Sequence, residues 1–127
     1  MNKNTLITSY FHALERGSYE TIIKLFAPGA IVISPLYGKK PATLFYKEVF
    51  ADTKSSKITL KNIFLSQENP HVGAAHFLYD WTLKDGTPAP FECMDVFEFS
   101  KDGTHIEKLT IIYDTQHTRK AFDQLVK

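Results

Sequence analysis

The stretch PFECMDVFEFS, from Pro90 to Ser100, alternates between apolar and polar side chains over most of its length. Its apolar parity consists of Phe91, Cys93, Phe97 and Phe99, and its glutamates occupy the other parity. Successive side chains of a strand point to opposite faces of a sheet, so this period of two predicts a half-buried strand. Asp95 falls within the apolar set, and the strand therefore directs a carboxyl group toward the core.

Similar alternation occurs before and after this stretch. In VGAAHFLYDWTL, residues 72–83, the aromatic residues of one parity are Phe77, Tyr79 and Trp81. In IEKLTIIYD, residues 106–114, the apolar residues of one parity are Leu109, Ile111 and Tyr113. Turn sequences at Asp85–Gly86 and Ser100–Gly103 connect these strands, and a β-branched and apolar run at Lys57–Leu65 precedes them. The second half is thus predicted to be a long antiparallel meander.

The first half of the chain has a helical period instead. Apolar residues recur at spacings of three and four, first at Leu6, Ile7, Tyr10, Phe11 and Leu14 and then at Ile22, Ile23 and Phe26. Gly17 separates these two helices, a short strand follows at Ala30–Ser34, and Pro35 and Gly38 mark a loop. A third helix is predicted from about Pro41 to Phe50, and a fourth in the tail from Thr115 to Lys127.

The order of helices, one early strand and a meander predicts an α+β fold with the helices packed on one face of a curved, largely antiparallel sheet. At 127 residues, the chain is expected to form one domain, residues 1–127. Helices over a strongly twisted sheet enclose a cone, and the aromatic parities of successive strands are expected to line it.

Composition favours some classes of partner over others. The net charge of +1 gives no electrostatic reason to expect nucleic acid or an acidic membrane surface as a partner. The single cysteine, Cys93, cannot form an internal disulfide, and the first residues lack the apolar run of a signal peptide, so a cytoplasmic location is expected. The histidines show no metal-ligand spacing and no glycine-rich phosphate loop follows a strand, so neither a metal nor a nucleotide cofactor is expected.

Asp95 has two interpretations at this level. In the first, it is a structural aspartate that accepts hydrogen bonds from backbone amides or lies exposed at a sheet edge. In the second, it is an acid facing a pocket, where desolvation raises its pKa above the usual value of about 3.9. Tyr10, on the apolar face of the first helix, is by itself an ordinary core aromatic residue.

The opening SYFHALERGSYETIIKLFAPGAIVISPLYG and the closing MDVFEFSKDGTHIEKLTIIYD resemble the nuclear transport factor two-like superfamily. Its members include the SnoaL-like polyketide cyclases and the steroid Δ5-isomerases. The resemblance implies a cone-shaped α+β barrel with a pocket open at one end, and a homodimer formed by the outer face of the sheet. The apolar residues available on that face are Leu78, Met94, Val96 and Ile112.

The steroid isomerase branch implies roles for individual residues. Tyr10 falls where that family has the tyrosine of its oxyanion hole, and Asp95 falls where it has a protonated aspartic acid, so these two form the implied catalytic pair. Tyr46, in LFYKEVF, matches a tyrosine that supports the first through a hydrogen bond. Tyr113 matches an aromatic residue that borders the pocket.

The chain departs from this pattern at the general base. VISPLYG places Ser34 where the family has its proton-shuttling aspartate, and an unassisted serine is too weak a base at neutral pH. Phe26 replaces a second supporting tyrosine. Ordinary steroid isomerisation is therefore not expected. The residues expected to bind a ligand are Phe26, Ser34, Tyr46, Phe77, Tyr79, Trp81, Phe91 and Tyr113.

Three functions remain open from the sequence. The first is a SnoaL-like, isomerase- or cyclase-like enzyme acting on a small, largely apolar carbonyl compound, such as a polyketide- or steroid-like ligand. The second is a protein that binds an apolar ligand without turnover. The third is a dimeric interaction domain with a vestigial pocket, which a fully packed cone would favour.

Overall fold

A computed structural model describes residues 2–125, which form helices packed against a six-stranded mixed sheet. The helices are α1 (Lys3–Arg16), α2 (Tyr19–Ile23), α3 (Ala42–Ala51) and α4 (Thr118–Asp123). The strands are β1 (Phe26–Ser34), β2 (Gly38–Pro41), β3 (Thr53–Leu65), β4 (Val72–Leu83), β5 (Phe91–Phe99) and β6 (Ile106–Ile112). The predicted α+β fold is confirmed.

The strands lie in the order β2-β1-β6-β5-β4-β3, with β1 parallel to β6 and all other neighbours antiparallel. The edges formed by β2 and β3 do not pair with each other, so the sheet is open and does not close into a barrel. β5 lies between β4 and β6, which places Asp95 in the interior of the sheet, opposite Ala75 on β4 and Ile111 on β6.

The inward face of α1 carries Tyr10 into the core. Asn2 accepts a hydrogen bond from the Thr5 amide and caps the first turn, and Gly17 ends the helix in the left-handed region at φ 66°. Between these caps the buried residues follow the helical period that the sequence predicts: Leu6, Ile7, Tyr10, Phe11, Ala13 and Leu14. Tyr10 is 1% exposed.

Several predicted boundaries were wrong. Phe26 does not belong to the second helix, because α2 ends at Ile23 and Phe26 begins β1, where it pairs with Ile106. The loop predicted after Pro35 contains β2, whose polar residues 38–41 pair with the end of β1 as an edge strand. In the predicted tail helix only Thr118–Asp123 is helical among the described residues, and Val126 and Lys127 lie outside them.

Candidate functional site

A cavity lies between the helices and the helix-facing side of the sheet. Asp95 on β5 and Tyr10 on α1 both border it. Among the residues predicted to bind a ligand, those that border it are Ser34, Phe77, Tyr79, Trp81, Phe91 and Tyr113. Phe77, Tyr79 and Trp81 lie on β4 and Phe91 on β5, on the same parity as Asp95, whereas Ser34 ends β1 and Tyr113 directly follows β6.

The cavity is narrow. The volume open to the centres of water molecules is about 40 Å³, whereas one water needs roughly 10–15 Å³ on that measure. The space as it stands therefore holds roughly three water molecules. A steroid nucleus does not fit into it, and even a single ring requires side chains at its mouth to move.

Asp95 is a buried carboxyl group with one weak hydrogen-bond donor beside it. It is 1% exposed, and among residues 2–125 its hydrogen-bond partner is the Cys93 thiol, with Sγ 3.3 Å from Oδ1. Burial raises the pKa of Asp95 to about 7, and the hydrogen bond from Cys93 offsets only part of that rise. No backbone amide within residues 2–125 donates to this side chain, unlike the structural aspartate considered from the sequence. The carboxyl group is thus poised between its neutral and ionised forms near neutral pH.

Tyr10 is held by a second buried tyrosine. The hydroxyl oxygens of Tyr10 and Tyr46 lie 2.7 Å apart. Tyr46 is 0% exposed and makes no other side-chain hydrogen bond among the described residues. If Tyr10 were the donor, the Tyr46 proton would be buried without an acceptor, which costs roughly 1–3 kcal/mol. Either hydroxyl group can be the donor in this bond, and a proton donated by Tyr46 leaves the Tyr10 proton available to a ligand.

The electrostatic environment keeps both hydroxyl groups protonated. Burial is the main cause of the raised pKa of Tyr10 and of Tyr46, and the negative charge of Asp95 adds to both shifts. The thiol of Cys93 also has a raised pKa, from burial first and from Asp95 second. The groups around Asp95 are therefore hydrogen-bond donors at neutral pH.

Two of the predicted binding residues do not border the cavity. Tyr46 and Phe26 lie behind Tyr10, with ring centroids 6.2 and 6.1 Å from that of Tyr10. Their rings fix the position of the Tyr10 ring, which also packs edge-on against Phe97 at 5.4 Å. Tyr46 and Phe26 therefore support Tyr10 and do not reach a ligand in this conformation.

Ser34 borders the cavity but is engaged by the backbone. Its Oγ accepts hydrogen bonds from the amides of Leu36 and Tyr37, each at 3.3 Å. A hydroxyl oxygen has two lone pairs, so these amides occupy its acceptor capacity and leave its proton as a donor. Ser34 therefore shapes the turn after β1 and does not replace the missing base.

Partly exposed aromatic rings border the cavity or pack against its lining. Phe91 and Tyr113 stack with their centroids 3.8 Å apart and their planes inclined by 15°. Phe122 on α4 packs against Trp81 at 6.4 Å and Tyr37 at 5.0 Å, and both of these residues border the cavity. α4 is also attached to the turn after β1, since the Arg119 guanidinium donates to the Pro35 carbonyl oxygen at 2.8 Å.

Tyr37 also borders the cavity, although it was not predicted as a site residue. Its hydroxyl donates to the Asp52 carboxylate at 2.8 Å. The signal for Tyr37 was its position in VISPLYG, three residues after Ser34, on the turn that carries a predicted site residue. Asp52 follows α3 directly, and nothing in the local sequence distinguishes it from an ordinary surface aspartate. Its 3% exposure is a property of the tertiary structure alone.

Comparison with known families identifies the chain. The SnoaL-like domain family matches residues 7–107. The chain belongs to the SnoaL-like domain family. This SnoaL-like protein matched no protein in a comparison with curated proteins.

Solved structures share the fold at low sequence identity. A candidate polyketide cyclase from Pseudomonas putida KT2440 superposes with a TM-score of 0.76 at 13% identity, covering 94% of this chain and 97% of the other. A nuclear transport factor two-like protein from Exiguobacterium sp. 255-15 gives 0.72 at 15% identity, covering 86% and 98%. A protein from Catenulispora acidiphila DSM 44928 with a ketosteroid isomerase-like fold, in complex with trimethylamine, gives 0.76 at 13% identity, covering 89% and 88%. These likenesses establish the fold of this SnoaL-like protein.

Two absences within residues 2–125 bear on the site and on membranes. No group of three or more histidine, cysteine, aspartate and glutamate side chains in this range is arranged to hold a metal ion. No helix in the same range is long and apolar enough to cross a membrane. The cytoplasmic location remains a prediction.

Proposed function

We propose that this cavity binds a small, largely apolar carbonyl compound and stabilises the enolate that forms when the compound loses a proton. The observation that carries the proposal is Asp95, a buried acid beside the cavity whose raised pKa keeps much of it neutral at pH 7. A neutral carboxyl group donates a hydrogen bond where an ionised one only accepts. Asp95 and Tyr10 would thus both donate to one ligand oxygen.

The chemistry follows from where these donors lie. Charge on an oxygen increases as a carbonyl compound becomes an enolate, and fixed donors in a buried site stabilise that charge more than water does. The hydroxyl of Tyr46 lies 2.7 Å from that of Tyr10, and a proton donated by Tyr46 would strengthen Tyr10 as a donor through the shared hydrogen-bond chain. The apolar walls, including Phe77 and Trp81, exclude water from the bound ligand. Isomerisation and ring closure are reactions that pass through such an enolate.

Binding of para-nitrophenol tests the oxyanion pair. Its phenolate resembles an enolate, and its visible absorption reports the bound anion directly. We expect Asp95→Asn and Tyr10→Phe each to weaken binding about tenfold or more, because a hydrogen bond to a charged group contributes roughly 1.5–3 kcal/mol. Tyr19→Phe is the matched control, since the Tyr19 hydroxyl donates to the Thr43 carbonyl away from the cavity. Wild-type protein that does not bind the probe, or variants that bind it equally well, would contradict the proposal.

A second candidate is a ligand-binding protein without turnover. Ser34 favours this candidate, because it stands where the steroid isomerases have their general base. Its Oγ accepts hydrogen bonds from backbone amides, so no basic group is present at that position. Turnover of a panel of enolisable ketones separates the two candidates. A fully packed cone would favour the third alternative, an interaction domain with a vestigial pocket, whereas the cavity here is narrow but borders both Tyr10 and Asp95.

We also propose that the protein forms a homodimer through the outer face of the sheet. Ile112 is 54% exposed and Leu78 is 36% exposed on that face, and both are large apolar residues. Two-fold dimers are the commonest homo-oligomers, and a dimer would cover these side chains. The cavity lies on the other face, so dimerisation leaves it accessible.

A further inference from the structure

A hydrogen bond followed by an ion pair leads from the cavity to the surface through Tyr37. Tyr37 lies in the turn between β1 and β2 and borders the cavity. Its hydroxyl donates to Asp52 Oδ2 at 2.8 Å, and Lys84 Nζ lies 3.7 Å from Asp52 Oδ1. The Asp52 side chain is 4% exposed and that of Lys84 is 36% exposed. This path therefore runs from the cavity wall through a buried carboxylate to a cation at the surface.

The Tyr37 side chain is held in place on all sides. Its ring packs edge-on against Phe45 at 5.4 Å and against Phe122 at 5.0 Å. Lys40 Nζ lies 5.9 Å from the ring centroid, and the Tyr37 amide donates to Ser34 Oγ. These contacts fix the direction of the hydroxyl group, as a group that transfers protons requires.

The other groups at the cavity are poor proton acceptors. Burial raises the pKa of Tyr79, Tyr113 and Tyr37, as it does for Tyr10 and Cys93, so each of them keeps its proton at neutral pH unless that proton is passed on to another group. Asp95 serves the ligand oxygen as a neutral donor under the proposed function. With Asp95 engaged as the donor to the ligand oxygen, no other carboxyl group borders the cavity to accept the proton.

Asp52 has the chemistry that is missing. Burying an ionised carboxylate costs free energy. If the side chain at position 52 only linked the end of α3 to the β1–β2 turn, a neutral residue would do so at lower cost. The Lys84 ammonium balances the charge of this carboxylate, and the Tyr37 hydroxyl points its proton at it. A phenol that gives its proton to a carboxylate can accept another proton on the same oxygen as the first one leaves.

We propose that Tyr37 and Asp52 form the proton relay of this cavity. The proposal rests on the proposed function of the same site. The Tyr37 oxygen takes a proton from the α-carbon of the bound carbonyl compound while its own proton passes to Asp52 Oδ2. The electrons of the broken C–H bond form the enolate, whose oxygen Tyr10 and Asp95 hold. The reverse steps return a proton to carbon and restore the Asp52 carboxylate. Tyr37 is the catalytic residue, and Asp52 acts through it.

The test follows exchange of α-protons of cyclopentanone and cyclohexanone in heavy water by proton NMR. In parallel, the affinity for each ketone is measured by the fluorescence of Trp81, the sole tryptophan, which borders the cavity. We expect the wild type to accelerate exchange. Tyr37→Phe and Asp52→Asn should each slow the catalysed exchange about 100-fold, a typical contribution of general acid–base groups. Both should leave ketone affinity within about threefold, because the relay acts on the transition state. Asp52→Glu should recover part of the rate.

Matched controls are Tyr19→Phe, whose hydroxyl lies away from the cavity, and Asp80→Asn, on the exposed face of β4. Neither should change exchange. If the wild type catalyses exchange and Tyr37→Phe and Asp52→Asn catalyse it equally well, the relay is overturned and the proposed function still stands. Ketone binding that depends on Asp95, without exchange by the wild type, would overturn the relay and favour the ligand-binding candidate. Parallel loss of affinity and exchange in both relay variants would show that the pair only holds the turn in place.

Discussion

Cys93 Sγ lies 3.3 Å from Asp95 Oδ1, two residues away along β5 and on the same face of the sheet. A thiol is a weak donor, so this contact satisfies little of the hydrogen-bonding capacity of the carboxyl group. The neighbouring strands place Ala75 and Ile111 beside Asp95, and neither side chain has a polar atom. The protein thus keeps an acid in apolar surroundings at a cost in stability that a ligand oxygen can offset.

This cost should depend on pH. The pKa of Asp95 rises from 3.8 to about 7 on folding, which corresponds to about 4 kcal/mol at 1.36 kcal/mol per pKa unit. Between about pH 4 and pH 7 the unfolded chain releases this proton while the folded chain keeps it. The free energy of unfolding should therefore fall as the pH rises through this window, and level off above it.

Asp95→Asn removes this titration. We expect the variant to be at least as stable as the wild type, with an advantage that grows from pH 4 to pH 7. Urea denaturation across this range measures both free energies of unfolding. Asp80→Asn, at an exposed position, should follow the wild type. A constant difference across the range would mean that folding does not raise the pKa of Asp95. A variant that is less stable at pH 8 would mean that the carboxylate stabilises the fold.

Tyr46→Phe tests the direction of the hydrogen bond between the two buried tyrosines. If Tyr46 donates to Tyr10, the variant should bind para-nitrophenolate about 5- to 10-fold more weakly, since one hydrogen bond contributes about 1 kcal/mol. Isothermal titration calorimetry gives the affinity, and Tyr19→Phe is again the control. Unchanged affinity would indicate that Tyr10 is the donor of this pair.

Ser34→Asp places a carboxylate where the steroid isomerases have their base. We expect the wild type to isomerise Δ5-ketosteroids only at the background rate, because Ser34 lacks basicity and a cavity of about 40 Å³ is too small for a steroid. In a Tyr37→Phe background, Ser34→Asp should restore α-proton exchange of cyclohexanone, measured by NMR in heavy water. Robust steroid turnover by the wild type would refute this account of Ser34.

The sequence predicts the inner face of the sheet well because period-two alternation depends only on local geometry. Asp95 and Trp81 could be assigned to the apolar face of their strands without knowing how the strands pair. Tyr113 was predicted to lie on the last strand, but β6 ends at Ile112 and Tyr113 follows it. The same local pattern could not show that Tyr46 and Phe26 lie behind Tyr10, because that arrangement depends on how α3 and β1 pack against α1.

Asp52 marks the limit of sequence reasoning at this site. Its burial results from contacts with Tyr37 and Lys84, which are 15 and 32 residues away in the sequence. β2 was missed for a similar reason, since its polar residues form a strand only because the edge of β1 offers backbone partners. Phe26 was assigned to the second helix because it lies three residues after Ile23 and four after Ile22, which fits a helical period as well as it fits the start of a strand.

Phe122→Ala should open the mouth of the cavity. Phe122 packs against Trp81 and Tyr37, and removing its ring should speed the association of ketones and admit larger ones. Stopped-flow fluorescence of Trp81 measures the association rate. The variant should lose about 1–3 kcal/mol of stability, as expected for a partly buried ring. Leu44→Ala, at an exposed position of α3, is the control. Equal association rates in the wild type and Phe122→Ala would mean that ligands enter by another route.

Ile112→Glu tests the proposed homodimer. Ile112 pairs with Met94 on the outer face of the sheet, and a glutamate there would place a charge inside an apolar interface without a partner. We expect light scattering to show that the wild type is a dimer at micromolar concentration. The dissociation constant of the Ile112→Glu dimer should be at least about tenfold higher. Leu44→Glu introduces the same charge at a site that is 44% exposed on α3, and it should leave the dimer intact. The melting temperature of each variant at high dilution separates dissociation from unfolding. A monomeric wild type, or equal dissociation of both variants, would rule out the outer face of the sheet as the dimer interface.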